Sequence, residues 1–213
     1  MSVATLIRAP RQDRSQRTMD RIIDATMRLL EDRDYDAITL ADIARESGTG
    51  NSSIYARFRD KRAILLAAHQ RVRERAVTRL EDLCRPDRWA HASVEESLSG
   101  ITSGMLSWYR ENHNVMKAAL LLNDRTLYGQ IANTIHAGAV QLSRFIQDRV
   151  PGQTRRSATR AADFIFRIMT ATFQQIAIFD SQSPTGDALN DRDLIRGIVR
   201  ASLAQFAAPA DRV

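Results

Sequence analysis

Side chains that could contact a nucleic acid are concentrated between Thr39 and Lys61, in the sequence TLADIARESGTGNSSIYARFRDK. Hydroxyl, phenol and ammonium groups can bind phosphate oxygens, and amide and guanidinium groups can also contact base edges in a DNA groove. This segment therefore predicts a surface for double-stranded DNA. Its candidate contact residues are Thr39, Gly50, Asn51, Ser52, Ser53, Tyr55, Arg57 and Lys61.

Two short helices joined by a glycine turn must position these groups. Thr39 and Asp42 have the spacing of a capping box, so a helix is predicted to begin directly after Thr39. Gly48 can adopt the left-handed backbone that ends this helix and redirects the chain. Ile54 and Phe58, at i and i+4, form the buried stripe of a second helix and leave the polar residues on its other faces. The segment is thus predicted to be a helix-turn-helix.

The composition of the whole chain is compatible with a DNA partner. The 213 residues carry a formal net charge of +6, with a pI near 10.2, and a basic excess favours a polyanionic partner. The single cysteine, Cys84, cannot form an internal disulfide, and the chain has neither a signal-peptide pattern nor an apolar span of membrane length. We therefore expect a cytoplasmic protein without a membrane partner.

Helical periodicity extends through the rest of the chain. With nine glycines, five prolines and no alternating β-branched window, the sequence predicts an all-α fold of about nine helices. A first helix is predicted over about 15–31, after a frayed start whose Arg8, Arg11, Arg14 and Arg17 form a solvated tail or a DNA-contacting arm. A long fourth helix is predicted to begin at a cap, Asp60, and to end before Pro86. Later helices are predicted over about 93–111, 114–122, 124–149, 157–180 and 191–207.

Breaks in the periodicity predict how the chain is divided. The pattern stops between Pro86 and about His91, which predicts a domain boundary there, and further breaks lie at 150–152 and 183–186. We therefore expect a three-helix DNA-binding head in residues 1–60, a connecting helix in 61–85 and a larger helical domain in 86–213.

The last two predicted helices have unusual surfaces. Apolar residues surround most of helix 157–180, which must be covered on more than one side, and helix 191–207 carries a stripe of small residues that a second helix can approach closely. A homodimer interface is the favoured interpretation, and packing within one chain is the alternative. The predicted interface residues are Phe166, Phe173, Leu194, Gly197, Ile198, Ala201 and Ala204.

A specific spacing connects the predicted head to a known family. Tyr55, Phe58 and Lys61 follow an Ile-Ala-x-x-x-Gly helix, and with these residues the stretch of about 18–66 resembles the tetracycline-repressor (TetR) family of bacterial transcription regulators. The resemblance implies that Thr39, Tyr55 and Lys61 contact phosphates, whereas 51–53 and Arg57 approach base edges or the backbone. Gly50 stands where the family usually has a serine that caps the recognition helix, so Asn51 or the turn backbone must begin that helix.

The resemblance also implies a small-molecule effector bound among the helices after the fourth. Aromatic and flexible apolar groups in that region could line a cavity, or could form an ordinary core. The sequence does not specify the effector. The candidate pocket residues are Met105, Trp108, Tyr109, Met116, Leu120, Phe164, Met169 and Phe173.

The chain lacks sequence motifs for catalysis. It has no Gly-x-Ser-x-Gly elbow, no His-Glu-x-x-His and no spaced Cys or His cluster, and the glycines at 48 and 50 are neither preceded by a strand nor followed by a Walker lysine. No catalytic residue, metal or cofactor is therefore predicted. Cys84, beside Arg85, could be a redox sensor, but an incidental cysteine is the favoured interpretation.

The favoured function is that of a ligand-responsive DNA-binding regulator. It would be a repressor that binds a palindromic operator as a homodimer and is released by a small molecule. The alternative is a helical small-molecule-binding protein or enzyme without DNA selectivity, and an interaction scaffold would show neither DNA selectivity nor a defined ligand.

Overall fold

A computed structural model of the chain describes residues 11–122, 124–179 and 189–207, and every regular element in those ranges is helical. The prediction of an all-α fold is confirmed. Two 3₁₀ turns, Tyr35–Ala37 and Pro86–Trp89, separate longer elements. Within the described ranges the α-helices are α1 (Arg11–Asp32), α2 (Leu40–Ser47), α3 (Asn51–Tyr55), α4 (Lys61–Leu83), α5 (Val94–Glu111), α6 (His113–Leu121), α7 (Arg125–Arg149), α8 (Arg155–Phe179) and α9 (Asp191–Ala207).

The first helix begins earlier than the predicted start at residue 15. The Thr18 hydroxyl donates to the carbonyl of Arg14 at 3.0 Å, so this turn is supported by a local hydrogen bond that apolar periodicity does not predict. Arg11, Arg14 and Arg17 of the predicted arm are therefore helical, whereas Arg8 lies outside the described residues.

The chain divides into two units, Met1–Arg71 and Val72–Val213. This boundary falls inside α4, which contributes residues to both units. The predicted division into 1–60, 61–85 and 86–213 stays a prediction.

The amino-terminal unit has a small core of branched apolar side chains. Ile22 of α1 and Ile43 of α2 are completely buried, and Ile54 of α3 is 1% exposed. The helical periodicity of these residues brings one face of each helix into the same core, which excludes water from the apolar surface. The polar faces of α2 and α3 are consequently held on the outside of this unit.

Polar contacts fix the start and the middle of α4 within the same unit. The carboxylate of Asp60 accepts from the N–H of Ala63 at 2.8 Å, so Asp60 caps the helix as predicted. Further along, the guanidinium of Arg71 donates to Asp24 at 2.5 Å and to Asp20, two carboxylates of α1. These ion pairs connect α4 to α1 across the amino-terminal unit.

The carboxyl-terminal unit is held together by close helix packing. At Gly138 of α7, an added Cβ would lie 2.3 Å from the Phe166 ring of α8, so the ring occupies the space of the missing side chain. In the same way the Trp89 ring lies against Gly100 of α5, where an added Cβ would meet it at 2.0 Å. Glycine at these positions permits an approach that any side chain would prevent.

Helix caps confirm several predicted boundaries in this unit. Ser93 and Glu96 form a capping box at the start of α5, and Asp124 caps α7 by accepting from the Leu127 N–H at 3.0 Å. The predicted break at 150–152 separates α7 from α8 and contains Gly152 in the left-handed conformation, with φ at 78°. The break predicted at 183–186 lies outside the described residues. No helix in the described ranges is long and apolar enough to cross a membrane.

Candidate functional site

The start of α2 carries a reciprocal cap. The Thr39 hydroxyl oxygen accepts from the Asp42 N–H at 3.1 Å, and the Asp42 carboxylate accepts from the Thr39 N–H at 3.0 Å and from its hydroxyl at 2.7 Å. The hydrogen bonds from Thr39, followed by those from Arg33 and Arg45, hold the pKa of Asp42 well below its usual value of 3.8. The capping box is therefore present as predicted, with the carboxylate ionised.

This cap determines which donors remain at the start of α2. Because the Thr39 hydroxyl already donates to Asp42, the groups in position for an anion are the N–H groups of Leu40 and Ala41, which have no acceptor within the first turn. They lie at the positive end of the helix dipole, where an anion is favoured. A phosphate at Thr39 would thus be bound through the N–H groups of the helix start rather than through the hydroxyl.

The turn between α2 and α3 uses two glycines for different reasons. Gly48 has φ at 62° and ends α2 by donating its N–H to the carbonyls of Ala44 and Arg45. Gly50 is extended, with φ at −82° and ψ at 155°, and precedes α3 without a side-chain cap. Its carbonyl accepts from the Ser53 N–H at 2.9 Å. The turn backbone, rather than the Asn51 side chain, therefore begins the recognition helix.

Helix α3 presents a polar face while its apolar residue is buried. Ile54 is 1% exposed and Phe58 is 6% exposed, so both are buried as predicted. The helix ends at Tyr55, however, so Phe58 follows it and does not lie on it as predicted. Asn51 and Ser52 are exposed at the start of the helix, and Tyr55 at its end is 61% exposed. The phenol of Tyr55 is therefore accessible to a partner outside the chain.

Arg57 is positioned differently from the exposed residues of α3. It follows the helix, is half-buried, and its guanidinium donates to the carbonyl of Ser53 at 2.9 Å and to the carbonyl of Ser15 in α1 at 3.2 Å. The side chain therefore connects the recognition helix to α1. A guanidinium has five N–H donors, so others remain for a phosphate or a base.

Lys61 also makes contacts within the amino-terminal unit. Its ammonium donates to the carbonyls of Tyr35 and Ile38, both at 2.8 Å, and lies 4.1 Å from the centroid of the Tyr35 ring. These acceptors explain how a cation is accommodated at the start of α4, where the helix dipole disfavours it. With three donors on an ammonium, one N–H remains for a phosphate.

A cavity of about 250 Å³ lies in the carboxyl-terminal unit between α5, α6 and α8. It is lined by Leu106, Tyr109, Arg110, His113, Phe173, Ile176 and Ala177. Tyr109 and Phe173, two of the predicted pocket residues, line it together, with ring centroids 5.2 Å apart. The other predicted pocket residues lie elsewhere: Met105, Trp108, Met116 and Met169 are buried in the core, Leu120 is half-buried and Phe164 is exposed.

The polar part of the cavity lining was not predicted as a group. Arg110 and His113 are not among the predicted pocket residues, although their spacing of i and i+3 at a helix junction is visible in the sequence. The Nδ1 atom of His113 lies 2.9 Å from the Arg110 carbonyl. Tyr109 is buried, and desolvation raises the pKa of its phenol to about 12, so it remains a neutral donor.

The predicted interface residues fall into two groups by burial. Phe166, Phe173 and Ile198 are 6%, 1% and 4% exposed within the single chain, so they belong to its own core. Gly197 and Ala204 are exposed, and the remaining two, Leu194 and Ala201, are half-buried. Periodicity identified apolar faces here but could not distinguish faces covered within the chain from faces open to a partner.

Neither a reactive thiol nor a metal cluster is found in the described ranges. Cys84 is buried, and desolvation raises the pKa of its thiol to about 12, so it does not form the thiolate that a redox sensor requires. No group of three or more His, Cys, Asp or Glu residues is arranged to hold a metal ion in that part of the chain.

The fold and the head define a class: an all-helical protein whose amino-terminal helix-turn-helix presents a polar recognition helix. Comparison with known proteins agrees with this class. Residues 22–68 match the family model for bacterial regulatory proteins of the TetR family. The HTH-type transcriptional regulator AlkX of Mycobacterium tuberculosis is 28% identical over 110 residues, a match that covers 51% of this chain and 47% of AlkX. This chain thus matches about half the length of that relative.

Solved structures share the fold over nearly the whole chain. A protein of Mesorhizobium loti assigned to the TetR-family regulators has 17% identity and a TM-score of 0.70, with 91% of this chain and 97% of that one covered. FadR of Bacillus subtilis, solved in complex with stearoyl-CoA, has 19% identity and a TM-score of 0.59, with 87% and 98% covered. Residues 22–68 thus carry the match to the TetR family, and the likeness to these solved structures shows a shared fold.

Proposed function

We propose that the chain is a transcriptional regulator of the TetR family that binds a palindromic operator in the cytoplasm as a homodimer, represses transcription there, and is released by a small molecule. The observation that carries the proposal is the exposed polar face of α3, mounted on a buried Ile54 and ending in the solvent-exposed Tyr55. Such a helix presents donors and acceptors without exposing its apolar side, as insertion into a major groove requires.

Phosphate contacts would position the head on the duplex. The exposed phenol of Tyr55, the helix start at Thr39 and the remaining N–H of Lys61 are suitable donors for phosphate oxygens. Of these, Lys61 carries a full charge and therefore contributes to the salt dependence of binding. None of the three distinguishes one base pair from another.

Base contacts would come from the beginning of α3. Asn51 is exposed there, and its amide can bind an adenine edge through two hydrogen bonds. Ser52 and the half-buried Ser53 add short hydroxyl groups, and Gly50 permits close approach because it has no side chain. Arg57, already bonded to Ser15 and Ser53, would contact a phosphate or base only with its remaining donors.

Homodimerisation follows from what a palindrome requires. Two copies of α3 must enter successive major grooves, roughly 34 Å apart, so the operator symmetry mirrors a twofold protein symmetry. The exposed small residues Gly197 and Ala204 of α9, with exposed Phe164 and Phe179 of α8, offer apolar surface that a second copy can cover.

A small-molecule effector would act by preferring one conformation of the dimer. If it binds best when the two heads are wrongly spaced for the operator, DNA affinity falls by its differential affinity, typically about 1–3 kcal/mol. The cavity beside Tyr109 and Phe173 supports such a ligand. The stearoyl-CoA complex of the FadR relative also supports a small-molecule effector for this fold.

Selection of duplexes from a random pool tests the proposal. The purified protein is expected to enrich inverted repeats whose half-sites are about one helical turn apart, and light scattering is expected to give twice the chain mass of 24.0 kDa. A helical enzyme or small-molecule carrier would enrich no duplex. Enrichment of asymmetric sites by a monomer would contradict the dimer.

A further inference from the structure

The cavity in the carboxyl-terminal unit has a polar end and an apolar end. Leu106, Phe173, Ile176 and Ala177 form apolar wall, whereas Tyr109, Arg110 and His113 bring polar groups from α5 and from the start of α6. At about 30 Å³ for each water-sized group, 250 Å³ accommodates roughly eight non-hydrogen atoms. The space therefore suits a short molecule with one polar end.

Two of the polar groups at this end offer hydrogen-bond donors to a ligand. A carbonyl oxygen can only accept, so the contact of His113 Nδ1 with the Arg110 carbonyl at 2.9 Å uses the proton on Nδ1, and the Nε2 atom of a neutral ring is then an acceptor. The neutral phenol of Tyr109 can donate, and a guanidinium has donors only. Donors at one end of an apolar cavity favour an anionic or strongly accepting head group.

The Arg110 guanidinium already has a carboxylate partner. Asp191, the first residue of α9, accepts from Arg110 Nε at 3.1 Å and from Nη2 in a fork geometry. Both side chains are about half exposed, at 43% and 49%, and an exposed ion pair of this kind contributes little net stability. A competing carboxylate could therefore replace Asp191 at small cost.

We propose that this cavity binds a small amphipathic carboxylate whose head group replaces Asp191 on Arg110. The tail lies against Phe173 and Ile176, and the head takes the two guanidinium donors that now hold the start of α9. Ligand binding and the ion pair between α5 and α9 are thus mutually exclusive. A link between loss of this ion pair and release of DNA rests on the proposed function, because α9 belongs to the dimer interface proposed there.

Hexanoate, with eight non-hydrogen atoms, is the probe, and 1-hexanol is the neutral control of the same chain length. Dissociation constants from NMR titration of the full chain are expected to favour hexanoate over 1-hexanol. Arg110→Gln should lower hexanoate affinity about tenfold or more and leave 1-hexanol binding unchanged, because a charge-assisted hydrogen bond is lost. Equal affinities of the wild type for the two probes would overturn the proposal.

Asp191→Asn tests the competition directly. Removing the competing carboxylate is expected to raise hexanoate affinity about two- to fivefold, in line with the strength of an exposed ion pair. Asp163→Asn, which breaks the 2.7 Å ion pair with Arg167 on α8, is the matched control and should have no effect. An Asp191→Asn affinity equal to that of the wild type would contradict the exchange of partners.

Duplex binding without hexanoate is measured in parallel, which separates the two proposals. A protein that selects a palindrome but does not prefer hexanoate disproves this inference and leaves the proposed function standing. A protein that shows the expected hexanoate pattern but selects no duplex disproves the proposed function and leaves this inference standing.

Discussion

The ammonium of Lys61 lies 4.1 Å from the centroid of the Tyr35 ring and donates to the Tyr35 carbonyl at 2.8 Å. With the second carbonyl, that of Ile38, these contacts connect the start of α4 to the segment between α1 and α2. Lys61 therefore stabilises the head, and it is also predicted to contact a DNA phosphate. The two roles can be separated by experiment.

Lys61→Met should destabilise the head. The substitution keeps an unbranched stem but removes two charge-assisted hydrogen bonds, so the opening free energy of α2 and α3 should fall by about 1–3 kcal/mol. Native-state hydrogen exchange, followed in peptides from these two helices, measures this opening free energy. Arg59→Met, at a side chain that is 94% exposed, is the control and should change the value by less than about 0.5 kcal/mol. Unaltered exchange in Lys61→Met would show that these contacts do not support the head.

Tyr55→Phe should weaken DNA binding without affecting stability. The ring is 61% exposed, so loss of the hydroxyl removes a phosphate hydrogen bond of about 0.5–1.5 kcal/mol but no core packing. Affinity for the selected operator and for an unrelated duplex should fall by the same factor, measured by fluorescence anisotropy. The dependence on salt should stay the same, since a phenol is neutral, whereas Lys61→Met should reduce the slope by about one. A loss confined to the operator would instead place Tyr55 among the base-reading residues.

The capping box should give the head an acid-sensitive contribution. The folded protein holds the pKa of Asp42 below 3.8, so this carboxylate stabilises the fold above the unfolded pKa, and its contribution is lost as pH falls through the folded pKa. The stability difference between wild type and Asp42→Asn should be constant above about pH 5 and shrink below about pH 4. Hydrogen exchange of the head as a function of pH measures this difference.

Asp32→Asn, an exposed carboxylate in the same unit, is the control for that experiment. It should not reproduce the loss of the stability difference at low pH. A difference between wild type and Asp42→Asn that persists unchanged to pH 3 would show that the Asp42 carboxylate is not the group responsible.

Two glycines of α7 should respond in opposite ways to alanine. At Gly138 the added methyl would meet the Phe166 ring at 2.3 Å, so Gly138→Ala should cost about 1–3 kcal/mol by overpacking. At Gly129 nothing lies within 4 Å, and Gly129→Ala should stabilise the helix by roughly 0.5–1 kcal/mol. Thermal unfolding of the two variants beside the wild type tests the pair, and a stabilised Gly138→Ala would contradict the close packing of α7 on α8.

Local signals in the sequence were sufficient for most helix boundaries. The caps at Thr39 and Asp60 and the left-handed turn at Gly48 depend on residues within one helical turn, and each has the predicted role in the structure. The signals for the recognition helix also come from neighbouring residues, which explains why the helix and its buried Ile54 could be predicted.

Contacts between distant parts of the chain could not be predicted in this way. Lys61 bonds to carbonyls 23 and 26 residues away, Arg57 to one 42 residues away, and Arg110 to a carboxylate 81 residues away. Phe166 and Ile198 show the same difficulty for apolar residues, because periodicity predicts a buried face but not which surface buries it.

Base readout by the exposed start of α3 is the central claim, and Asn51→Ala tests it most directly. Duplex selection is repeated with this variant and with Asn133→Ala, an exposed asparagine of α7, as the control. Asn51→Ala is expected to lose base preference at one symmetric pair of operator positions, worth about 1–3 kcal/mol per base contact, while Asn133→Ala retains the wild-type pattern. An unaltered preference at every position in Asn51→Ala would contradict the claim.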